Sequence, residues 1–284
     1  MTTLTPILIG GLGNRLYQIA NAFRIQELHN YQLKFYRIKP KPTDIPKYRH
    51  LVLRESDFDD FGGHKLLIKE ELPKSIDEIF PELNFETNPT EIDKILYNKN
   101  LYFENNIGSI SPNVDSVVMG YFFPYSFIQN QIDRVRNSFN PKIQQYINKK
   151  YTELRTKKIL GIHLRLGIGS DNNPAIQIPH NFYIKILELE KNNYDMIYVV
   201  SDNIPKAKEF MKTIFVLGKE IKFIEDEPMY VDLLILSNCE ILVIAPSTLS
   251  AWSSYLNKNK NTYSPSIWIK HHWTTDIPKE WKLL

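Results

Sequence analysis

Cysteine is nearly absent from this sequence. Cys239 is the only one among 284 residues, so an intrachain disulfide framework is excluded, as is structural zinc held by paired C-x-x-C ligands. A reducing compartment fits this usage. Charge of one sign is also lacking: 35 Lys and Arg stand against 32 Asp and Glu, a net of +3 with no basic stripe, which argues against a nucleic-acid partner. Long apolar runs are missing too. The opening Met1-Thr2-Thr3-Leu4-Thr5-Pro6 lacks the positive region of a signal peptide and its apolar continuation stops at a glycine pair, while Val231 to Ala245 is broken by Ser237, Asn238 and Glu240. Neither stretch suits a bilayer span. The expectation is a soluble, cytoplasmic protein with no membrane anchor, and no signature of an oligomeric state is visible.

What the sequence does contain is a succession of short apolar runs and helical patterns, over a length sufficient for two medium domains. Pro6 to Gly10 reads as a strand, Gly10-Gly11-Leu12-Gly13-Asn14 as a glycine-rich turn, and Arg15 to His29 as a helix with Leu16, Ile19, Ala20 and Phe23 on one face. Such glycines let the backbone turn sharply and leave amides at a helix N-terminus to hold an anion. Turn chemistry alone explains them as readily. Leu33 to Tyr36 continues as a strand. From Lys39 to about Leu83 the prolines Pro40, Pro42, Pro46, Pro73 and Pro81 divide segments without a period, an insertion expected to shape an acceptor site. Its Asp57-Phe58-Asp59-Asp60 offers carboxylates of the kind that hold Mg²⁺ or Mn²⁺, but a solvated loop before Gly62-Gly63 is the simpler reading. Val117 to Phe123 returns to strand, Ser126 to Phe139 reads as a helix ending at Asn140-Pro141, and Lys142 to Leu154 as a lysine-rich helical run. The domain boundary is placed here, giving 1–155 and 156–284.

The second half is more regular. Ile159-Leu160-Gly161-Ile162-His163-Leu164-Arg165 is a buried strand with a histidine and an arginine at its exit, followed by a loop over 166–173. A helix near Asn181 to Lys191, a strand Met196 to Val200, a helix Pro205 to Ile214 and a strand Ile221 to Ile224 come next. A helix near Met229 to Asn238, a strand Ile241 to Ala245 and a helix through Trp252 to Leu256 complete the alternation of a parallel, doubly wound α/β sheet. In such sheets ligands bind outside the carboxyl ends of the strands. Arg165, Ser201-Asp202-Asn203 and Ser247-Thr248 all follow strands and would converge there. Arg165 can clamp a phosphate with a forked pair of hydrogen bonds, Ser247 or Thr248 can donate from a helix N-terminus, and Asp202 can accept from a ribose or base. The ligand so implied is a nucleotide with a diphosphate.

Plainer readings compete. Ser201-Asp202 and Ser247-Thr248 suit helix N-caps, and His163 alone is better explained as a satisfied core residue. Arg165 resists such a reading, because an arginine on an apolar central strand carries a desolvation cost that calls for a partner. His271-His272-Trp273 reads as a packed tail, since adjacent histidines in a strand point to opposite faces.

At these residues the chain resembles the fucosyltransferases that use GDP-fucose, above all the α-1,2-fucosyltransferase family and more distantly the protein O-fucosyltransferases. The family's Gly-Gly-Leu-Gly-Asn-Gln turn resembles Gly10-Gly11-Leu12-Gly13-Asn14-Arg15, continued by Tyr17-Gln18 and Ala20. His163-Leu164-Arg165 is similar to its His-x-Arg-Arg-x-Asp motif, and Val200-Ser201-Asp202-Asn203 to its Phe-Ser-Asp-Asp segment. Asp232 to Cys239, followed by Ser247-Thr248-Leu249-Ser250-Ala251-Trp252, resembles its Asp-Leu-x-Leu-Met-Ser-x-Cys and Ser-Thr-Phe-Ser-Trp-Trp blocks, with Gly120-Tyr121-Phe122 a further point.

The resemblance implies a GT-B glycosyltransferase: two Rossmann-like domains with parallel sheets facing a cleft, an acceptor side in 1–155 and a nucleotide-sugar side in 156–284. The reaction it implies inverts the anomeric centre and uses no metal or other cofactor. Arg165 would bind the donor diphosphate and stabilise leaving GDP. His163 and Asp202 would lie near the nucleoside and Ser247 and Thr248 near phosphate, with Gly11, Gly13, Ser201 and Asn203 also binding the donor and Asn14 across the cleft near the reacting centre. The sequence departs from the pattern at Leu166, in place of the second arginine, and at Ile168, in place of the aspartate. Asp171 is a candidate for the missing carboxylate and Arg15 for the missing cation. The expected activity is transfer of L-fucose from GDP-fucose to a glycan hydroxyl. The same reaction with another nucleotide sugar, or a catalytically silent nucleotide- or glycan-binding module, are its alternatives.

Overall fold

The computed structural model describes residues 2–36, 69–86, 101–103, 108, 110–111, 113–167, 178–214, 218–266 and 276–284. They form two compact units, Met1–Pro141 and Lys142–Leu284. Each is built on parallel β-sheet.

Unit 1 contains β1 (Thr3–Pro6), β2 (Gln32–Leu33), β3 (Phe35–Tyr36), β4 (Phe85–Glu86), β5 (Leu101–Phe103) and β6 (Ser116–Met119). Four of them form a parallel sheet in the order β2-β1-β6-β5, while β3 and β4 pair separately. Leu33 to Tyr36 is thus divided between two sheets. The helix Leu12–His29 starts before Arg15 because Gly11, extended at φ −67° and ψ 169°, takes the N-cap position. Its expected face, Leu16, Ile19, Ala20 and Phe23, is at most 2% exposed. Tyr17, Gln18, Asn21 and Ala22 are buried as well, so the helix is covered on more than one side. It ends at Asn30, left-handed at φ 55°, whose amide donates to the Gln26 carbonyl at 2.7 Å. Part of the proline-punctuated insertion packs into this unit, with the Phe80 and Phe139 rings 4.8 Å apart and the Asn140 amide donating to the Ile79 carbonyl at 2.8 Å. The expected helix over 126–139 is broken into Tyr125–Ile128, a 3₁₀ turn Gln129–Gln131 and Ile132–Ser138.

The helical run over 142–154, expected before the domain boundary, falls in unit 2. Tyr146 and Lys150 of the helix Pro141–Lys150, and the following Tyr151, converge on the buried carboxylate of Glu227, with donor distances to Oε1 of 2.9, 2.5 and 2.7 Å. Burial opposes the charge on Lys150, but its bonds to Glu227 outweigh that and hold the ammonium above its ordinary pKa.

Unit 2 contains β7 (Ile159–Leu164), β8 (Met196–Ser201), β9 (Glu220–Phe223), β10 (Ile241–Val243), β11 (Thr262–Ser264) and β12 (Lys282–Leu283) in a parallel sheet of order β12-β11-β10-β7-β8-β9. The chain moves outward from β7 through β8 to β9, returns to β10 beside β7, and moves outward again. The strand order therefore reverses between β7 and β10, the topological switch point of a doubly wound sheet. All of β7 is buried, as a strand covered on both faces must be, which is why it reads as an unbroken apolar run.

At the centre of β7, Gly161 lies between Leu242 of β10 and Tyr198 of β8. A Cβ there would stand 2.7 Å from Cys239 Sγ and 3.2 Å from Leu236 Cδ2. The strand and the end of the helix Met229–Ser237 thus meet at a spacing that only glycine permits. Burial pushes the Cys239 thiol pKa upward, so this cysteine is an inert packing group. Among the described residues no helix is long and apolar enough to cross a membrane.

Gly161→Ala should destabilise the chain by about 1–3 kcal/mol through overpacking, read as a lower urea midpoint. Combining it with Cys239→Ala should recover part of the loss, and strictly additive effects would show that the two residues do not share one contact.

Candidate functional site

The reversal between β7 and β10 brings His163 and Arg165 beside the segment that leads from β10 into the helix Thr248–Leu256. His163 is 5% exposed, and its Nδ1 lies 2.5 Å from Ser250 Oγ. The same Oγ accepts a hydrogen bond from the Ala245 amide at 3.1 Å. Assigned from this network, the arrangement that uses the Ser250 hydroxyl proton has it donating to Nδ1, which puts the ring proton on Nε2. Burial lowers the His163 pKa to about 4; the Arg165 charge adds to this and the Asp202 carboxylate opposes it. The imidazole is therefore a neutral donor at physiological pH. The core-histidine reading holds, with the buried ring held by Ser250 at the end of β7.

Arg165 follows directly and is half-buried. No carboxylate among the described residues pairs with its guanidinium. Asp202, just after β8, turns toward the backbone instead of away from it. Its Oδ1 accepts from the amides of Leu166 at 2.7 Å and Gly167 at 2.9 Å. Asn203 is the N-cap, its Oδ1 accepting from the Lys206 amide at 3.1 Å. Ser201 Oγ accepts from the Asn203 amide at 3.1 Å, so these two side chains serve the turn. Ser247 caps the last helix by position only, extended at φ −154° and ψ 137° with no side-chain cap bond. Its hydroxyl and the first amides of a nine-residue helix are thereby kept from one another, and the positive end of the helix dipole stands at this strand exit. Thr248 is half-buried beside it.

Gly11, Gly13, Asn14 and Arg15 belong to unit 1. Gly10 is left-handed at φ 76°, and a Cβ on it would lie 2.6 Å from Asn14 Nδ2. Gln18 pairs with the backbone of Ile9, accepting from its amide at 2.9 Å and donating to its carbonyl at 3.1 Å. Arg15, expected to face an anion, is 3% exposed with Nε donating to the Gly10 carbonyl at 2.8 Å. It braces the turn from inside. Asn14 is half-buried on the first turn of the helix.

Asp171, Asp57, Asp59, Asp60, His271 and His272 lie outside the described residues. Among the described residues no group of three or more His, Cys, Asp or Glu could hold a metal ion. Sequence reasoning missed Ser250 and Gly167. Ser250 stood within a recognisable block, but its partner is far away in sequence. Gly167 carried no signal beyond being a glycine in a loop.

No protein-family model matches the chain. It is 24% identical to the alpha-1,2-colitosyltransferase of Escherichia coli over 307 aligned residues, covering 99% of this chain and 98% of that protein. Among solved structures it is similar to the fucosyltransferase NodZ from Bradyrhizobium, with a TM-score of 0.52, 14% identity, and 89% and 92% of the two chains covered. The likeness to NodZ α-1,6-fucosyltransferase soaked with GDP-fucose has a TM-score of 0.53 at 12% identity, covering 90% and 92%. The fold is that of a GT-B glycosyltransferase. A buried neutral imidazole, an arginine that no described acid pairs with and a helix N-terminus follow neighbouring strands of the unit 2 sheet, an arrangement suited to an anion.

The buried ring has a measurable consequence. An unfolded His163 takes up a proton below its ordinary value of 6.5, whereas the folded ring resists it until about pH 4. Its contribution to stability is present above 6.5 and is lost as pH falls through 4, in total about 3 kcal/mol. Urea midpoints measured across this window should fall more steeply for the native chain than for His163→Gln, and parallel curves would refute a buried neutral ring.

Proposed function

We propose that the chain transfers a sugar from a GDP-linked donor to a hydroxyl of a glycan acceptor. It is an inverting transferase that needs no metal, with unit 2 holding the donor and unit 1 serving the acceptor. The acceptor hydroxyl attacks the anomeric carbon and gives its proton to a base or to solvent, the bond from that carbon to the diphosphate oxygen breaks, and negative charge grows on the leaving GDP. The observation that carries this reading is Arg165, half-buried at the switch point with no acid among the described residues to neutralise it. A guanidinium at the point where charge develops acts on the transition state more than on the bound donor. His163 Nε2–H and the N-terminal amides of the helix Thr248–Leu256 add neutral donors at the same strand exits.

L-Fucose is the first donor sugar proposed, supported by the motif blocks and by the fold shared with NodZ. A different GDP-linked deoxysugar is the second, supported by the colitosyltransferase that this chain resembles from end to end at 24% identity. The linkage proposed is α-1,2, as in that relative's name.

Incubation with a panel of GDP- and UDP-linked sugars, reading released nucleoside diphosphate, should give turnover with GDP-fucose or a related GDP-deoxysugar. A preference for a UDP-sugar would sink the reading, and GDP binding without turnover of any donor would favour a silent binding module. Arg165→Ala should lower kcat by about 10²–10³-fold while leaving the thermal midpoint within a few degrees. Near-normal turnover in that variant would remove Arg165 from the mechanism.

A further inference from the structure

The backbone immediately after Arg165 is held by one side chain. Asp202 Oδ1 receives two amides, those of Leu166 at 2.7 Å and Gly167 at 2.9 Å. A carboxylate accepting from backbone amides makes charge-assisted bonds, roughly twice as strong as neutral ones. The contact is close on its other side too. A Cβ built on Gly167 would meet Asp202 Oδ2 at 2.6 Å, Cγ at 2.8 Å and Oδ1 at 3.3 Å, the three nearest atoms among the described residues beyond its chain neighbours. Gly167 is not left-handed, so alanine there would be opposed by Asp202 and not by its own backbone.

Asp202 is itself anchored. β7 and β8 are paired with Leu164 opposite Ser201, which puts Asp202 one residue beyond the last rung of the ladder, level with Arg165. On its far side Asn203 caps the helix Ile204–Thr213 and takes the Ala207 amide on its carbonyl at 2.9 Å. Ladder and capped helix leave Asp202 little freedom. Arg165 is thus fixed by the β7 ladder before it and by Asp202 after it.

We propose that Asp202 is a positioning residue that aims Arg165, and that Gly167 is required because only a residue without a side chain lets the carboxylate reach both amides. This rests on the proposed role of Arg165, and it replaces the expectation that Asp202 binds the nucleoside. Misplacing a transition-state group by an ångström costs on the order of 10²-fold in rate, and that loss would appear in kcat more than in the donor KM.

The test compares Asp202→Asn, Asp202→Ala and Gly167→Ala in the full chain. An asparagine keeps an oxygen for both amides, so Asp202→Asn should stay within about fivefold of the native kcat. Asp202→Ala and Gly167→Ala should each lose about 10–100-fold in kcat with donor KM little changed, and the double variant should be no worse than the poorer single one. Overturning results are a rise in donor KM or GDP Kd in both Asp202 variants with Gly167→Ala near native, which is the behaviour of a nucleoside ligand. Amide hydrogen exchange at Leu166 and Gly167 decides the clamp without turnover: slow in the native chain and in Asp202→Asn, faster in Asp202→Ala. Equal exchange in all three would refute it. Slow native exchange in a chain that processes no nucleotide sugar would instead bring down the proposed function and leave the clamp standing.

Discussion

The contact between Gly161 and Cys239 sets the spacing on which unit 2 depends. With no side chain on Gly161, the thiol comes directly onto the middle of β7. The Cys239 carbonyl then accepts from the side-chain amides of Asn257 at 2.8 Å and Asn259 at 3.2 Å. Those residues follow the helix Thr248–Leu256, so one buried residue ties the end of one helix to the end of the next. That second helix carries Ser250, and Ser250 holds His163. A packing constraint two residues before the histidine therefore reaches the ring through the fold. The cysteine block is a matter of close packing, and its chemistry is that of a small apolar group.

Each polar group at the exit of β7 has a distinct answer to its burial. His163 is deeply buried and solves the problem by staying neutral, with its acceptor nitrogen satisfied by a hydroxyl. Asp202 is exposed to solvent and accepts from two backbone amides. Arg165 is half-buried with neither remedy among the described residues. On the proposed reading, such a cation at the same strand exits as a neutral donor and a helix N-terminus serves charge that arrives with a ligand, with little reorientation of dipoles during reaction. Electrostatics here follow from topology, because the switch point is where a strand exit and a helix start can lie side by side.

The parallel architecture was legible because buried strands such as Ile159 to Leu164 and Met196 to Val200 are apolar throughout, and the helices between them are not. β11 and β12 were not legible. Thr262–Ser264 and Lys282–Leu283 carry no apolar run, and they become strands only because an existing sheet edge accepts them. The strand exits were placed correctly by counting, yet the hydrogen-bond partners of their side chains were not legible. Asp202 and Ser250 act on partners distant in sequence, and Asn203 took the cap that Ser201 and Asp202 could each have supplied. A cap is chosen by local backbone angles, which three adjacent polar residues leave undetermined.

Two arginines show how residue type underdetermines role. Arg15 and Arg165 both follow glycine-bearing or apolar strand exits, and either could be read as a phosphate ligand. Arg15 is 3% exposed and donates from Nε to the Gly10 carbonyl, where Gly10 is already left-handed. Removing it from that turn would leave a buried carbonyl without its donor, at a cost of about 1–3 kcal/mol. Its Nε is therefore already engaged in the turn. On the proposed reading, what compensates in unit 2 is the N-terminus of the helix Thr248–Leu256, worth about half an elementary charge, together with the Nε2–H of His163. That combination is weaker than a second guanidinium in bulk charge. It is rigid, however, and in a site where Arg165 is the principal cation, fixing its direction matters more than adding a mobile one.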